Sequence, residues 1–423
     1  MSQPVRKKIA IIGSGISGLG AASLLNPAHD ITVYEKNDYI GGHSRTIEVK
    51  TPDGLMPVDT GFIVFNKRNY PLLTRLFEHL HVPVTESDMS FGVSINKGWL
   101  EYGTQSLFNI SAQKKNLLRP AFWKMIADIM TFNKKAGGFL EKDVGYSLGD
   151  CLNQLGMGPW FRDYYLLAMG GAIWSTPASG MLDFPAASFI RFFDNHGLLT
   201  VADHPQWYTV KGGSREYVKR ITEPFRDKIK LNHGVRKVIR KPDCVMVEDA
   251  SGQTLSYDEA VFACHADQAL AMITDPHATE KQILGDFAYQ PNRAVLHSDL
   301  RLMPQNKQAW ASWVYLADDN ETAPTSVSLS YWMNNLQPLA TNTPLIVTLN
   351  PGHEPDPALV YDDHWFEHPV FTTQAVRSQS AIDTIQGQDR LWFCGAYQRY
   401  GFHEDGLLSA VTMAKKMGVE PPW

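Results

Sequence analysis

The chain carries little that would tie it to nucleic acid, to an oxidising compartment or to the interior of a bilayer. Its 39 Lys and Arg against 44 Asp and Glu leave a net charge of −5, so it has no broadly basic field to gather phosphates, and nucleic acid is not expected as a partner. Cysteine is scarce. Cys151, Cys244, Cys264 and Cys394 are scattered, giving neither a disulfide framework nor C-x-x-C metal spacing, which suits a reducing, cytoplasmic setting. No apolar run reaches the length of a membrane span, and the four residues Ile9 to Ile12 that follow Arg6, Lys7 and Lys8 are too few for a signal peptide. His79 and His81 form H-x-H without a partner cluster, so two surface helix residues are expected there and no metal. Repeats and low-complexity linkers are also missing. What remains is an ordinary globular composition, 44% hydrophobic and 20% charged, over 423 residues, enough for two domains.

The most informative stretch is Lys8 to Glu35. Ile9 to Ile12 reads as a short buried parallel strand, Gly13, Gly15 and Gly18 give G-x-G-x-x-G, Ala21, Ala22, Leu24 and Leu25 recur at helical spacing, and a second strand ends on Glu35. In such a βαβ unit the first glycine permits the tight turn, the second admits a pyrophosphate to the backbone, and the third lets helix and strand pack closely. Phosphates sit at the helix N-terminus beside Ser14 and Ser17, and Glu35 is placed for a ribose diol. NAD and FAD share this opening. Lys36 is followed by a second glycine turn, Gly41-Gly42-His43-Ser44, which brings more backbone against one cofactor and suits the longer FAD.

Val58-Asp59-Thr60-Gly61-Phe62 and the late Phe393-Cys394-Gly395-Ala396, with Glu404-Asp405-Gly406, complete a pattern that resembles the flavin-containing amine oxidase superfamily. The resemblance implies an α/β fold in which a Rossmann-like FAD domain is interleaved with a mixed-sheet and helical substrate domain. It also implies that Thr60, Gly61, Phe62, Gly395, Ala396, Asp405, Gly406 and Leu407 lie against FAD and that the backbone near Val235 meets the adenine. The boundaries expected are 1–70, 205–283 and 385–423 for the FAD domain, and 71–204 with 284–384 for the substrate domain.

Between those anchors, Pro71 to Leu80 shows helical periodicity, and Met89 to Asn96 with Trp99 to Tyr102 reads as a hairpin. Phe122, Met125, Ile126, Ile129, Met130 and Phe132 form an apolar stripe flanked by Lys114, Lys115, Arg119, Lys124, Lys134 and Lys135. Such a helix either dips into a lipid surface or, as apolar stripes more often do, packs in the core behind a solvated basic edge. Trp160 to Leu199, rich in aromatic and small residues, serves equally as a tunnel wall or a helical core. Ala294 to His297, Ser312 to Tyr315, Val327 to Tyr331 and Leu345 to Leu349 read as a mostly antiparallel sheet. The last helix takes Asp405 as N-cap and Gly418 as C-cap, its N-terminus directed at the cofactor.

A closer resemblance rests on Phe65-Asn66, Ser87-Asp88-Met89-Ser90-Phe91, Ile173-Trp174-Ser175, Thr348-Leu349-Asn350-Pro351 and above all Trp392 to Gly406, WFCGAYQRYGFHEDG. These are similar to the N-terminal flavoprotein domain of plant cyclopropane fatty acid synthases and its free-standing bacterial counterparts. The resemblance implies non-covalent FAD, a long-chain fatty acyl substrate, contact with a membrane surface at its inner face, and an acyl-modifying methyltransferase as partner. Tyr397, Tyr400, His403 and Glu404 are the candidates to face the flavin, His403 as an acid or base near neutral pH. With no second G-x-G-x-x-G for a nicotinamide, reduction by the organic substrate is expected. The chain departs from typical amine oxidases in three ways: His43 replaces an arginine, Ala396 replaces an acid, and no cysteine is evidently placed to hold FAD; the first two weaken the transfer of amine chemistry. The readings are an oxidoreductase that desaturates, oxidises or isomerises acyl chains, an amine oxidase, or a flavin-bound lipid accessory protein without turnover.

Overall fold

The computed structural model describes residues 6–104, 107–174, 178–199, 205–317 and 328–423; Ser175 and Val327, read above as part of a motif and of a strand, lie outside them. The opening unit forms as expected, with β1 (Lys8–Ile12), α1 (Ile16–Leu25) and β2 (Asp30–Tyr34). Joined by β3 (Ile229–Lys230), β4 (Glu259–Phe262) and β5 (Leu391–Phe393), they build a parallel sheet in the order β3-β2-β1-β4-β5. Both faces of β1 are covered, which is why its sequence is continuously apolar rather than alternating.

The second layer is a seven-stranded sheet ordered Val360–Val370, Ala288–His297, Ile346–Leu349, Ser328–Trp332, Trp313–Ala317, Phe91–Ile95 and Leu100–Gly103. Only the pair Trp313–Ala317 and Phe91–Ile95 is parallel. The hairpin joining Phe91–Ile95 to Leu100–Gly103 turns at Asn96, Lys97 and Gly98, all with positive φ. Strand Val360–Val370 is absent from the sequence reading; it pairs along ten residues of Ala288–His297. Three separate stretches of chain build the parallel sheet and two build the mixed one, so the layers are interleaved.

Three helices position the site: α2 (Pro71–His79), α3 (Pro120–Lys135) and α4 (His403–Lys416). The inner face of α3, Phe122, Met125 and Phe132, joins Tyr102, Phe161, Phe189 and Phe193 in the largest core cluster. Leu407 and Ala410 of α4 pack on Gly20 of α1, where an added Cβ would stand 2.9 Å from the Leu407 side chain. This contact brings the closing helix back to the opening turn.

Candidate active site

At the nucleotide end, local geometry explains each glycine. Gly13 has φ +108° and faces the Ala263 carbonyl at 2.5 Å from where a Cβ would be; at Gly18 a Cβ would fall 1.9 Å from the Gly13 carbonyl oxygen. Gly15 is different, because nothing lies within 4 Å of an added Cβ, and its open side faces a cavity. Glu35, buried at the tip of β2, accepts hydrogen bonds from the Ser14 N–H at 3.1 Å, the Ser14 hydroxyl at 2.5 Å and the Asn37 N–H at 2.8 Å. Ser14, Gly15 and Ser17, with Glu35, Lys36 and Val235, therefore enclose one end of the cavity.

That cavity has a volume of about 2320 Å³. Ordinary ligand pockets reach roughly 1,000 Å³, so this one has room for a dinucleotide and a second long ligand. It runs from Gly13 past Gly42, His43, Thr60, Gly61 and Phe62, then past Gly395, Ala396, Tyr397, Tyr400 and His403, and on to Trp174, Phe192 and Met130. Segment Trp160 to Leu199 turns out to do both of its expected jobs: Phe189 and Phe193 are core, while Met169, Ile173, Trp174, Phe192 and Leu199 wall the cavity.

Six of the expected cofactor contacts, Gly18, Gly41, Ser44, Asp405, Gly406 and Leu407, stand behind the wall. Gly18 packs α1, and Gly41 (φ +123°) shapes the second turn. Gly406 lies against Ile16 and Ser17, and Leu407 against Gly20, so both fix α4 to α1. Asp405 is not the N-cap. Phe402 holds that place, and Asp405, at N3, accepts the Phe402 N–H at 3.0 Å, while burial pushes its carboxyl up to about 6.

Glu404 requires a correction. Its carboxylate oxygens accept the Leu72 and Leu73 N–H groups at 2.9 Å each, capping α2 at its positive end and facing away from the cavity. His403, one residue earlier, does reach the cavity. Its ring stacks on Phe62 at 3.8 Å, and Nε2 lies 2.9 Å from the Ser44 hydroxyl and 3.3 Å from that of Tyr217. Ser44 thus acts through His403 rather than lining the wall itself. Enclosure pushes His403 down to about 3, so it is a neutral hydrogen-bonding group and not a titrating switch near neutral pH.

Sequence reasoning missed a group of side chains that only the edge strand supplies. His364, Phe366 and His368 of Val360–Val370 reach the cavity, and Phe366 stacks on His43 at 4.7 Å. Burial, and next to it the neighbouring His368, holds His43 well below the usual imidazole range, so this position, which stands where an arginine usually follows the glycine pair, is uncharged.

The donor set fits FAD. Backbone at Gly15 lies open for a pyrophosphate, Glu35 is held in place by Ser14 and Asn37 just past β2, and the buried His43 Nε2 and Trp313 Nε1 have no hydrogen-bond partner although both residues face the cavity. Cys264 lies beside Gly13, but burial pushes its thiol up to about 12; it is no thiolate nucleophile.

Over residues 16–417 the sequence matches the flavin containing amine oxidoreductase family. A 1-hydroxycarotenoid 3,4-desaturase of Flavobacterium sp. (strain P99-3) is 39% identical over 88 residues, which is 20% of this chain and only 16% of that protein. The fold is similar to that of a CLA-producing fatty acid isomerase from P. acnes, with TM-score 0.68 and 13% identity over 98% of this chain and 99% of that one. Putrescine oxidase bound to putrescine is as similar in fold, with TM-score 0.68 and 13% identity over the same shares. With a family match across nearly its whole length and a cavity built for the cofactor, the chain belongs to the flavin-containing amine oxidoreductases and is an FAD-dependent oxidoreductase.

Proposed function

We propose that the substrate is a long-chain unsaturated or modified fatty acyl group, which the enzyme desaturates, oxidises or isomerises at a double bond. The observation that carries this reading is the part of the cavity beyond His403. It is walled by Met169, Ile173, Trp174, Phe192, Leu199 and Tyr331, and the whole cavity, about 2320 Å³, is more than a dinucleotide and a small amine would fill. FAD, when bound, supplies the hydride acceptor.

The protein's own contribution is to exclude water and fix geometry. The aromatic walls desolvate a chain along its length, at about 0.8 kcal/mol per buried methylene. His403, clamped between Phe62 and the Ser44 and Tyr217 hydroxyls, offers an uncharged polar group in an otherwise apolar chamber. Tyr397, buried against Phe287, and Tyr400, packed on Phe192, line the same cavity.

An amine substrate is the alternative, favoured by the fold shared with putrescine oxidase. Against it, the acidic residues among the described lining stand elsewhere: Glu35 is held by Ser14, Glu367 lies by His265, and Asp88 is exposed under hydrogen bonds from Ser90 and Ser312. Glu35, the one buried carboxylate among them, is already taken by Ser14 and Asn37 at the nucleotide end, and the other two are exposed. Anaerobic mixing separates the two readings: loss of flavin absorbance with acyl lipids, or acyl product by mass spectrometry, supports the proposal. Bleaching by polyamines alone rejects it.

A further inference from the structure

The outer face of α3 is built unlike the rest of the surface. Trp123 is 55% exposed and Met130 67%; seven residues apart, they project from one side of the helix, together with Ala127 and Lys134. Just before α3, Leu118 is 85% exposed, and the Trp123 indole N–H donates to the Leu117 carbonyl at 2.9 Å, which fixes that ring on the surface. Exposed apolar groups gathered this way mark a contact surface.

Charge surrounds them with one sign. Residues 107–140 hold six cations and a single acid, Asp128, in a chain whose net charge is −5. Asp128 is buried and paired with Lys124. Lys114, Lys115, Lys134 and Lys135 remain exposed, and Arg119 stacks 4.6 Å over Trp99. The exposed Trp365 on the opposite edge strand contrasts with this, since Asp362, Asp363 and Glu367 surround it in sequence.

The same helix is a wall of the cavity. Ile126, Ile129, Met130, Asn133 and Lys134 line it, and Met130 and Lys134 are also exposed, so the cavity opens on this face. We infer that the face formed by Leu117, Leu118, Trp123, Met130 and the lysines around them docks on an anionic bilayer surface, so that an acyl chain passes from the leaflet into the cavity beside Met130. Among the described residues no helix is long and apolar enough to cross a membrane, so α3 lies along the surface rather than through it. The inference rests on the acyl reading for its purpose, whereas docking is measured without turnover.

The test is flotation of the FAD-loaded protein with vesicles of phosphatidylcholine, with and without phosphatidylglycerol. Binding is expected only with phosphatidylglycerol and is expected to fall as salt rises. Lys114→Gln with Lys115→Gln weakens it roughly 25-fold, at about fivefold per cation, and Leu117→Glu with Leu118→Glu, at two exposed positions outside the cavity wall, abolishes it, with FAD content and melting temperature unchanged. Failure of the native protein to bind anionic vesicles, or equal binding by both variants, overturns the inference. If docking fails while dispersed fatty acids still perturb the flavin spectrum, the acyl reading survives alone; if docking holds and no acyl lipid reacts, only the acyl reading falls.

Discussion

Gly15→Ala adds one methyl group where the protein itself offers no obstacle. Nothing lies within 4 Å of the new Cβ, and the backbone, at φ −68° and ψ −178°, is one that alanine adopts freely. The apo-protein should therefore keep its stability or gain up to about 1 kcal/mol from a less flexible unfolded chain. The methyl instead occupies the space through which a pyrophosphate reaches the N-terminus of α1. Displacing one hydrogen bond to a charged group costs about 1.5–3 kcal/mol, which is a rise of roughly 10- to 150-fold in the dissociation constant for FAD. Gly18→Ala is the control with the opposite signature: its Cβ meets the Gly13 carbonyl oxygen at 1.9 Å, so the fold itself weakens. Titration of apo-protein by flavin fluorescence, beside thermal unfolding of both variants, reads the two effects separately. Unchanged FAD affinity in Gly15→Ala, or an apo-protein melting several degrees early, would refute the assignment of that open side to the cofactor.

Glu404→Ala leaves the Leu72 and Leu73 N–H groups without their acceptor and is expected to cost about 2–4 kcal/mol of stability. The spectrum of the bound flavin and its rate of reduction in the folded fraction stay unchanged; a stable variant that has lost turnover would restore Glu404 to the chemistry. Acid should destabilise the apo-protein. His196, His265, His297 and His368, at about 4, and His403, at about 3, bind protons less readily folded than unfolded. The unfolded chain therefore takes up protons as pH falls from 6.5 towards 4, and stability falls with it. Asp59 and Asp405, both pushed up to about 6 by burial, oppose this between about pH 6 and 4, but they are two against five. Melting temperature measured from pH 7 to 4 should drop, and a flat profile would contradict the buried, neutral state of these rings.

The βαβ opening was legible because strand, turn, helix and acid crowd into 28 residues and each signal is local. The antiparallel core strands were legible for the same reason, being apolar runs between turns. Val360–Val370 was not. Its sequence, VYDDHWFEHPV, is polar and carries two aspartates unfavourable to strands, and it is held by the long pairing with Ala288–His297 rather than by propensity. With that strand went the histidines that face the cavity. Glu404 illustrates the complementary failure: proximity in sequence to His403 suggested a shared role, but one helical residue is about 100° of rotation, and its partners lie more than 330 positions away. The α3 stripe divides, since its Phe122, Met125 and Phe132 are core while its Met130, with Trp123 outside the stripe, faces outward. Periodicity separates one face from another but does not say what covers the second.

The proposed function requires that one cavity take both a dinucleotide and an acyl chain end to end. Anaerobic titration of the FAD-loaded enzyme with fatty acids of increasing length, followed by the flavin spectrum, tests this most directly. Affinity should rise about fourfold with each added methylene until the chain outgrows the cavity, with putrescine leaving the spectrum unchanged. A spectrum that responds to putrescine and ignores chain length would contradict it.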